Sequence, residues 1–534
     1  MAEEIGKENK LVKSTAVSAM MIMMSMVISR ILGFVRDMII SNQFGQSYYT
    51  DAYNAAFSIP DFIYMILVGG AFSAAFVPTF SSYIAKGKED EAWKIASITL
   101  NAVCVGLLVL LGAAFVFTPQ LLGLIVKNFD AVTMDLAITL TRIMLLQVVF
   151  MALAGICSGI LQSYKIFGPT AYGGVVYNLG IIVIGGFFSG IVEKYFPGYG
   201  IAAFSIGVVV GAFGNFLIQA VSLKSVGIHY TPSFDVRNPG FSKMLGLMVP
   251  VLIGLSANEL SLFVNQYLAS GLSEGLLSAW KMASRFMQLP ISIFAISIAM
   301  TLFPVLTREA ATNRIDDFRK DYSNGLQTIF FICIPCSVLL AVLGEPFIRL
   351  LFETGKFTAE NTENTAFALV LFSFGIFAQG GIHLSSRAFY AFQDTRTPVL
   401  MAVLGIIVNI ILSILLIGPL QHGGLALAYS IGGIVNLFLL MWALRRRLGH
   451  VNIRSILKSS LQTLFASGIM GIAAWLIAWA CEALFGIEGK GAQAVQLFSA
   501  GILSVIVFML VAKLMKMPEA DTVFRMMKRR FHRG

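Results

Sequence analysis

Long apolar runs separated by short polar loops set the pattern of this chain. About 20 apolar residues are needed to cross the hydrocarbon of a bilayer. Fourteen segments qualify: 14–40, 52–82, 92–118, 131–160, 168–190, 199–223, 242–268, 276–307, 321–343, 361–391, 397–419, 423–444, 456–481 and 493–514. Transmembrane β-barrels alternate polar and apolar residues in segments of about ten, whereas these runs are longer and continuous. The pattern predicts an all-α polytopic membrane protein with fourteen transmembrane helices.

Composition agrees. Of the 534 residues, 57% are hydrophobic and 12% charged, with a mean hydropathy of +0.81; a soluble domain carries about 25% charged residues. Lys7, Lys10 and Lys13 precede the first run without a small-residue cleavage site, so an uncleaved first span is expected. The net charge of +10 falls unevenly. One set of alternate loops holds Lys86, Lys88, Lys94, Lys224, Arg237, Arg308, Arg314, Arg319, Lys320, Arg387, Arg396, Arg445, Arg446, Arg447 and Arg454, and the tail adds Arg525, Lys528, Arg529, Arg530 and Arg533. The opposite set holds Lys127, Lys194, Arg349, Lys356 and Lys490. The positive-inside rule puts both termini in the cytoplasm, and the basic tail reads as membrane-facing rather than nucleic-acid-binding.

Proline landmarks recur. Pro78 and Pro304 are 226 apart, Pro119 and Pro346 are 227 apart, and Pro169 and Pro398 are 229 apart. The surrounding chemistry matches: Phe76-Val-Pro78-Thr-Phe80 and Leu302-Phe-Pro304-Val-Leu306 both run into basic loops. The pattern predicts two six-helix lobes in parallel pseudo-twofold repeat, 1–230 and 231–450, two C-terminal helices within 451–516, and a basic tail, 517–534. Transporters with parallel repeats alternate access by rocking the halves around a site at their interface.

Charge at membrane depth is rare and costly, at least about 2.5–3.5 kcal/mol for an arginine. The first run contains Ser29-Arg30-x-x-Gly33-x-x-Arg36-Asp37. Asp51 and Asp61 follow in the second, Asp135 and Arg142 in the fourth, Glu259, Asn265 and Gln266 in the seventh, and Lys281, Arg285 and Gln288 in the eighth. Two readings of Arg36 and Asp37 stand: a local pair snorkelling at the interface, or a cavity site. Arg30 lies deeper, about 24 Å into its helix, and neither it nor Arg285 has an adjacent acid. Guanidinium forks bind phosphate oxygens bidentately, so Arg30, Arg36 and Arg285 are the candidates for capturing an anionic, diphosphate-bearing cargo.

Nothing in the chain reads as an enzyme. Glu353-Thr-Gly-Lys356-Phe-Thr lacks the first glycine of a phosphate-binding loop. His229, His422, His450 and His532 are loop or tail residues, and His383 stands alone in its span. Cys333-Ile-Pro-Cys336 sits within an apolar run and reads as packing. No cofactor is expected. Driving force would come from the membrane potential, a monovalent cation gradient or consumption of the cargo.

Ser29-Arg30-x-x-Gly33-x-x-Arg36-Asp37, Thr50-Asp51-Ala-Tyr, Gly70-Ala-Phe-Ser73-x-Ala-Phe76-Val-Pro78 and Arg387-Ala-Phe-Tyr-Ala-Phe-Gln-Asp394-Thr-Arg396-Thr-Pro398 together resemble the MurJ (MviN) family. These are lipid II flippases of the multidrug/oligosaccharidyl-lipid/polysaccharide exporter superfamily. The resemblance spans the chain. It implies two lobes around a cationic cavity, helices thirteen and fourteen as a groove for the undecaprenyl tail, and transfer of lipid II from the inner to the outer leaflet of the bacterial cytoplasmic membrane by alternating access. It makes Arg30, Arg36 and Arg285 cavity arginines, with Ser29, Asp37 and Asp51 beside them as substrate-binding residues. Tyr64-Met65 stands where members often carry an arginine pair, and Gln288 where they carry glutamate. An acidic residue proposed to bind sodium in some relatives falls at Asn265, with Asn409 and Ser413 as companions; these three leave a sodium site without its carboxylate.

The expected partners are lipid II or a similar polyprenyl-diphosphate glycolipid, membrane lipids and cell-wall synthesis proteins, with the chain itself a monomer. Two alternatives share the scaffold: a flippase for another polyprenyl-diphosphate-linked oligosaccharide, and a cation-coupled multidrug exporter. The second predicts acidic cavity residues, and the deepest charges here are arginines.

Overall fold

The computed structural model describes residues 24–68 and 70–520, except for the side chains of 70, 71, 73, 74, 249–251 and 253–258. Lys7, Lys10, Lys13, the tail arginines from Arg525 onward and the Ser73 side chain lie outside that description. Every regular element among the described residues is helical. In chain order they are α1 (24–44), α2 (Tyr48–Ala56), α3 (Ser58–Val68), α4 (Gly70–Ala85), α5 (Glu89–Val116), α6 (Thr118–Ile125), α7 (Ala131–Ser163), α8 (Gly168–Tyr195) and α9 (Ala202–Ser222). There follow α10 (Pro239–Ala269), α11 (Leu276–Pro290), α12 (Ile296–Ala311), α13 (Ile315–Phe352), α14 (Ala359–Ser373), α15 (Ile376–Ala391), α16 (Arg396–Leu448), α17 (Ile453–Phe485) and α18 (Lys490–Leu514).

Among the described residues nine helices are long and apolar enough to cross a membrane, or ten if α14 and α15, bent by 45°, form one span. Several expected spans are broken rather than straight. Within the 52–82 run, α2 and α3 are separated at Phe57, three residues before Pro60 in the first turn of α3. The 276–307 run is α11, then a π-helical turn at Ile291–Ala295 directly after Pro290, then α12. Proline lacks the N–H that would continue the ladder, and a wide turn is one way to absorb the loss. The 397–419 and 423–444 runs form α16, which is two helices joined at Gln421, whose φ of 48° and ψ of −132° are not helical.

The chain divides into two compact units, 1–271 and 272–534. Helix α10 belongs to the first of these units. Local bonds explain why α10 stays with the first unit. Ser58 Oγ on α3 donates to Gln266 Oε1 at 2.9 Å, and Lys127 N after α6 donates to Ser270 Oγ at 2.8 Å.

In the first unit α4 buries Phe72, Phe76 and Phe80 as a ladder with ring centroids 4.8 and 5.4 Å apart. On α7, Gly159 makes room for it: a Cβ there would stand 2.8 Å from the Phe76 ring. Helices α8 and α9 approach more closely still. A Cβ on Gly180 would lie 2.5 Å from Gly211 Cα, and one on Gly211 would lie 2.4 Å from Tyr177 O. Lipid gives no hydrophobic drive for helix association, so close backbone packing through small residues supplies the attraction instead.

In the second unit α13 packs against α17 and α18, with Phe331 and Phe508 rings 5.2 Å apart. Lys490, the first residue of α18, donates from Nζ to the carbonyls of Arg349 (2.8 Å), Leu350 (3.0 Å) and Glu353 (3.1 Å). A cation thereby caps the carbonyl end of α13.

The two units share a turn at matching positions. After α4, Gly87 is left-handed (φ 70°) and Lys88 N donates to Tyr83 O at 3.0 Å. After α12, 226 residues on, Asn313 is left-handed (φ 55°) and Arg314 N donates to Glu309 O at 2.9 Å. Lys165 (φ 63°) after α7 and Gln393 (φ 59°) after α15 repeat the device 228 residues apart. Each closes its helix by the Schellman bond from the residue past the left-handed one.

Candidate functional site

Helix α1 lies along α8, and the expected arginine motif meets that neighbour. Arg36 pairs with Asp37: Nη2 is 2.9 Å and Nε 3.0 Å from Asp37 Oδ1. The pair is largely withdrawn from solvent, with side-chain exposures of 18% and 14%. The pair is part of a wider hydrogen-bond network.

The network centres on Asn178 of α8, which is buried. Its Oδ1 accepts from Arg36 Nη1 at 3.3 Å. Its Nδ2 donates to Gly174 O at 2.9 Å, Ser29 Oγ at 3.2 Å and Ser29 O at 3.3 Å. One amide thus ties Ser29 to Arg36, two turns apart on α1. Next to it, Tyr177 Oη donates to Gln147 Oε1 of α7 at 3.1 Å. Further along, Ser189 Oγ donates to Gln43 Oε1 at 2.6 Å, and Gln43 Nε2 to Gly186 O at 3.3 Å.

Glycine at 174 allows this approach, since a Cβ there would lie 2.9 Å from Ser29 Oγ. Arg30 is exposed and has no ion-pair partner among the described residues. Asp51 is buried in the first turn of α2, which starts with a Ser47–Thr50 capping box.

The remaining candidates divide between the units. Arg285 is exposed on α11, five residues before Pro290 and the π turn. Asn265 is buried on α10 in the first unit. Asn409 and Ser413 are buried one turn apart on α16 in the second unit. A Cβ on Gly432 would lie 2.9 Å from Asn409 Cβ, which puts Asn409 at the contact between the two halves of α16. No group of three or more histidine, cysteine or acidic residues with metal-binding geometry occurs among the described residues.

Other charges have local duties. Arg142 donates to Phe115 O at 3.3 Å and lies over the Phe115 ring at 5.0 Å, closing the end of α5. Asp135 accepts from Tyr199. In the motif ending at Pro398, Asp394 accepts from Thr397 N (3.0 Å), Thr397 Oγ1 (2.8 Å) and Arg447 Nη1 (2.9 Å). Asp394 lies between α15 and α16, and burial by itself would raise its pKa. The bonds from Thr397 and the charge of Arg447 outweigh that and hold its carboxyl below the usual range.

Asn178 escaped a sequence reading that counted charges at membrane depth. The signal was present, since one amide interrupts the apolar run from Val175 to Ile184. What the arrangement offers chemically is an oriented guanidinium. Asp37 and Asn178 take three of its five N–H donors, and two point elsewhere.

Known proteins share this chain's sequence and fold. The sequence profile described as lipid II flippase MurJ matches residues 40–488. The probable lipid II flippase MurJ of Buchnera aphidicola subsp. Acyrthosiphon pisum is 31% identical over 423 residues, covering 79% of this chain and 82% of its own. The lipid II flippase MurJ of Burkholderia cenocepacia is 30% identical, with 79% and 82% covered. A solved structure of lipid II flippase MurJ in an inward closed conformation superposes with a TM-score of 0.77 at 26% identity, covering 93% of this chain and 98% of that one. An inward-facing multidrug resistance MATE transporter of the MOP superfamily gives 0.66 at 14% identity, covering 81% and 96%, and shares the fold.

Proposed function

The chain belongs to the lipid II flippase MurJ family, and from that premise we propose that it carries lipid II from the inner to the outer leaflet of the bacterial cytoplasmic membrane. The observation that carries the reading is the family match across 449 of the 534 residues, from 40 to 488. The cationic pair of residues on α1 supports it chemically. Lipid II bears a diphosphate, and moving that charge unaided through hydrocarbon costs several kcal/mol per ion even after relaxation.

In this reading Arg30, Arg36 and Arg285 hold the diphosphate, with Ser29, Asp37 and Asp51 shaping its surroundings. The protein crosses the membrane fourteen times with both termini in the cytoplasm, as two six-helix repeats, 1–230 and 231–450, followed by a prenyl-tail groove within 451–516 and the basic tail, 517–534. It works as a monomer without a cofactor by alternating access. The membrane potential or a monovalent cation drives it, with Asn265, Asn409 and Ser413 as the polar groups to examine for the latter. Its role is transport, without covalent chemistry on the cargo.

Depletion in the native host, with outer-face lipid II scored by a membrane-impermeant probe, tests the reading. Inner-leaflet accumulation followed by lysis, rescued by the wild-type chain, is the expected result. Unchanged outer-face lipid II in a host with no second flippase would overturn it and favour a different polyprenyl-diphosphate glycan.

A further inference from the structure

We infer that Asn178 is the positioning residue for Arg36, fixing the direction in which its guanidinium presents its remaining donors to a diphosphate. The inference rests on the anion-capture reading above and adds to it a residue on a different helix.

The amide orientation follows from its partners. Oδ1 faces a guanidinium that only donates, while Nδ2 faces the Gly174 and Ser29 carbonyls, which only accept, and the Ser29 hydroxyl. Exchanging the two atoms would set NH₂ against Arg36 and oxygen against both carbonyls. Asn178 is thus locked by contacts on two helices. Asp37 alone would leave Arg36 free to swing, because Asp37 shares its helix and contacts Arg36 through a single oxygen. Asn178 Oδ1 accepts from a third N–H of Arg36 and holds it from a second direction. Buried hydrogen bonds to ionised groups are stronger than neutral ones, so this contact can direct a long, rotatable side chain.

The acid variant gives a signature that packing would not produce. In Asn178→Asp, a protonated carboxyl can accept from Arg36 and keep one of the amide's donor bonds, to Ser29 or Gly174. Ionised, it loses the donor and neutralises the guanidinium. Binding of an anion by Asn178→Asp should therefore weaken as pH rises through the titration of that carboxyl, while wild type and Asn178→Ala keep their own, flatter profiles.

The test is titration of full-length protein in nanodiscs with farnesyl diphosphate, a soluble diphosphate lipid, across pH. Asn178→Ala is expected to bind about tenfold more weakly, as for the loss of one hydrogen bond to a charged group. Asn178→Asp should approach wild type at low pH and fall below Asn178→Ala at high pH. Wild-type affinity in Asn178→Ala, or binding by Asn178→Asp at high pH no weaker than by Asn178→Ala, would overturn the positioning role while Arg36→Ala still lost binding. Wild-type binding by Arg36→Ala would instead overturn the anion-capture reading itself.

Discussion

Arg447 donates from Nη1 to Asp394 Oδ2 at 2.9 Å while its guanidinium lies 4.7 Å from the centre of the Phe392 ring. The contact joins the far end of α16 to the loop that starts it. It makes Asp394 a capping carboxylate for Thr397 and an ion-pair partner together.

Because the folded-state pKa of Asp394 is lowered, its contribution to stability is present above the unfolded carboxyl pKa and is lost as pH falls through the folded one. Thermal unfolding in detergent should show acid destabilisation that Asp394→Asn reduces. Asp394→Ala should cost about 1 kcal/mol at neutral pH, the usual value of a lost cap.

Lys490→Met should loosen the end of α13, where three carbonyls lose their donor. A methionine keeps the apolar stem and removes the charge. Hydrogen exchange should rise around 345–353 by an amount equivalent to about 0.5–1 kcal/mol of lost protection, since the contact is solvent-exposed, with the first unit unchanged.

Gly211→Ala should be among the most damaging single methyl additions, because the new Cβ meets backbone of α8 at 2.4 Å rather than a side chain that can turn aside. Overpacking of this kind costs about 1–3 kcal/mol. A lowered unfolding temperature of purified protein checks it. Gly112→Ala, with nothing within 4 Å of the added atom, is the neutral control.

Arg30→Ala and Arg285→Ala should abolish complementation of a depleted host while leaving membrane insertion intact and the unfolding free energy within about 0.5 kcal/mol of wild type, since both residues are exposed. Normal growth with either variant would remove that residue from the diphosphate site.

Hydropathy located the helical runs because lipid demands continuous apolar length. It missed the breaks inside single runs. The break between α2 and α3 and the π turn after Pro290 both occur inside apolar runs, whereas the reversal at Gln421 falls in the short polar gap between two of them. Proline marks two of them, yet Pro78, Pro335 and Pro346 sit inside continuous helices, so proline alone does not tell a kink from a straight segment. The arginines of α1 were legible because charge in lipid is conspicuous. Asn178 was not, because an amide costs less to bury and its importance lies in what stands opposite it, which only packing reveals. Arg142 and Asp135 were conspicuous for the same reason as Arg30, yet each meets a local group near a helix end.

Helices α8 and α9 meet glycine to glycine, with the atoms of two main chains in direct contact. A side-chain interface can slide by exchanging rotamers; a backbone interface has none to exchange. The two helices must then tilt or translate together, as one stiff plank. Asn178 is bolted to that plank beside Tyr177, the residue whose carbonyl Gly211 touches. Any reorientation of α9 is consequently felt at Arg36, through the Asn178 amide on α8.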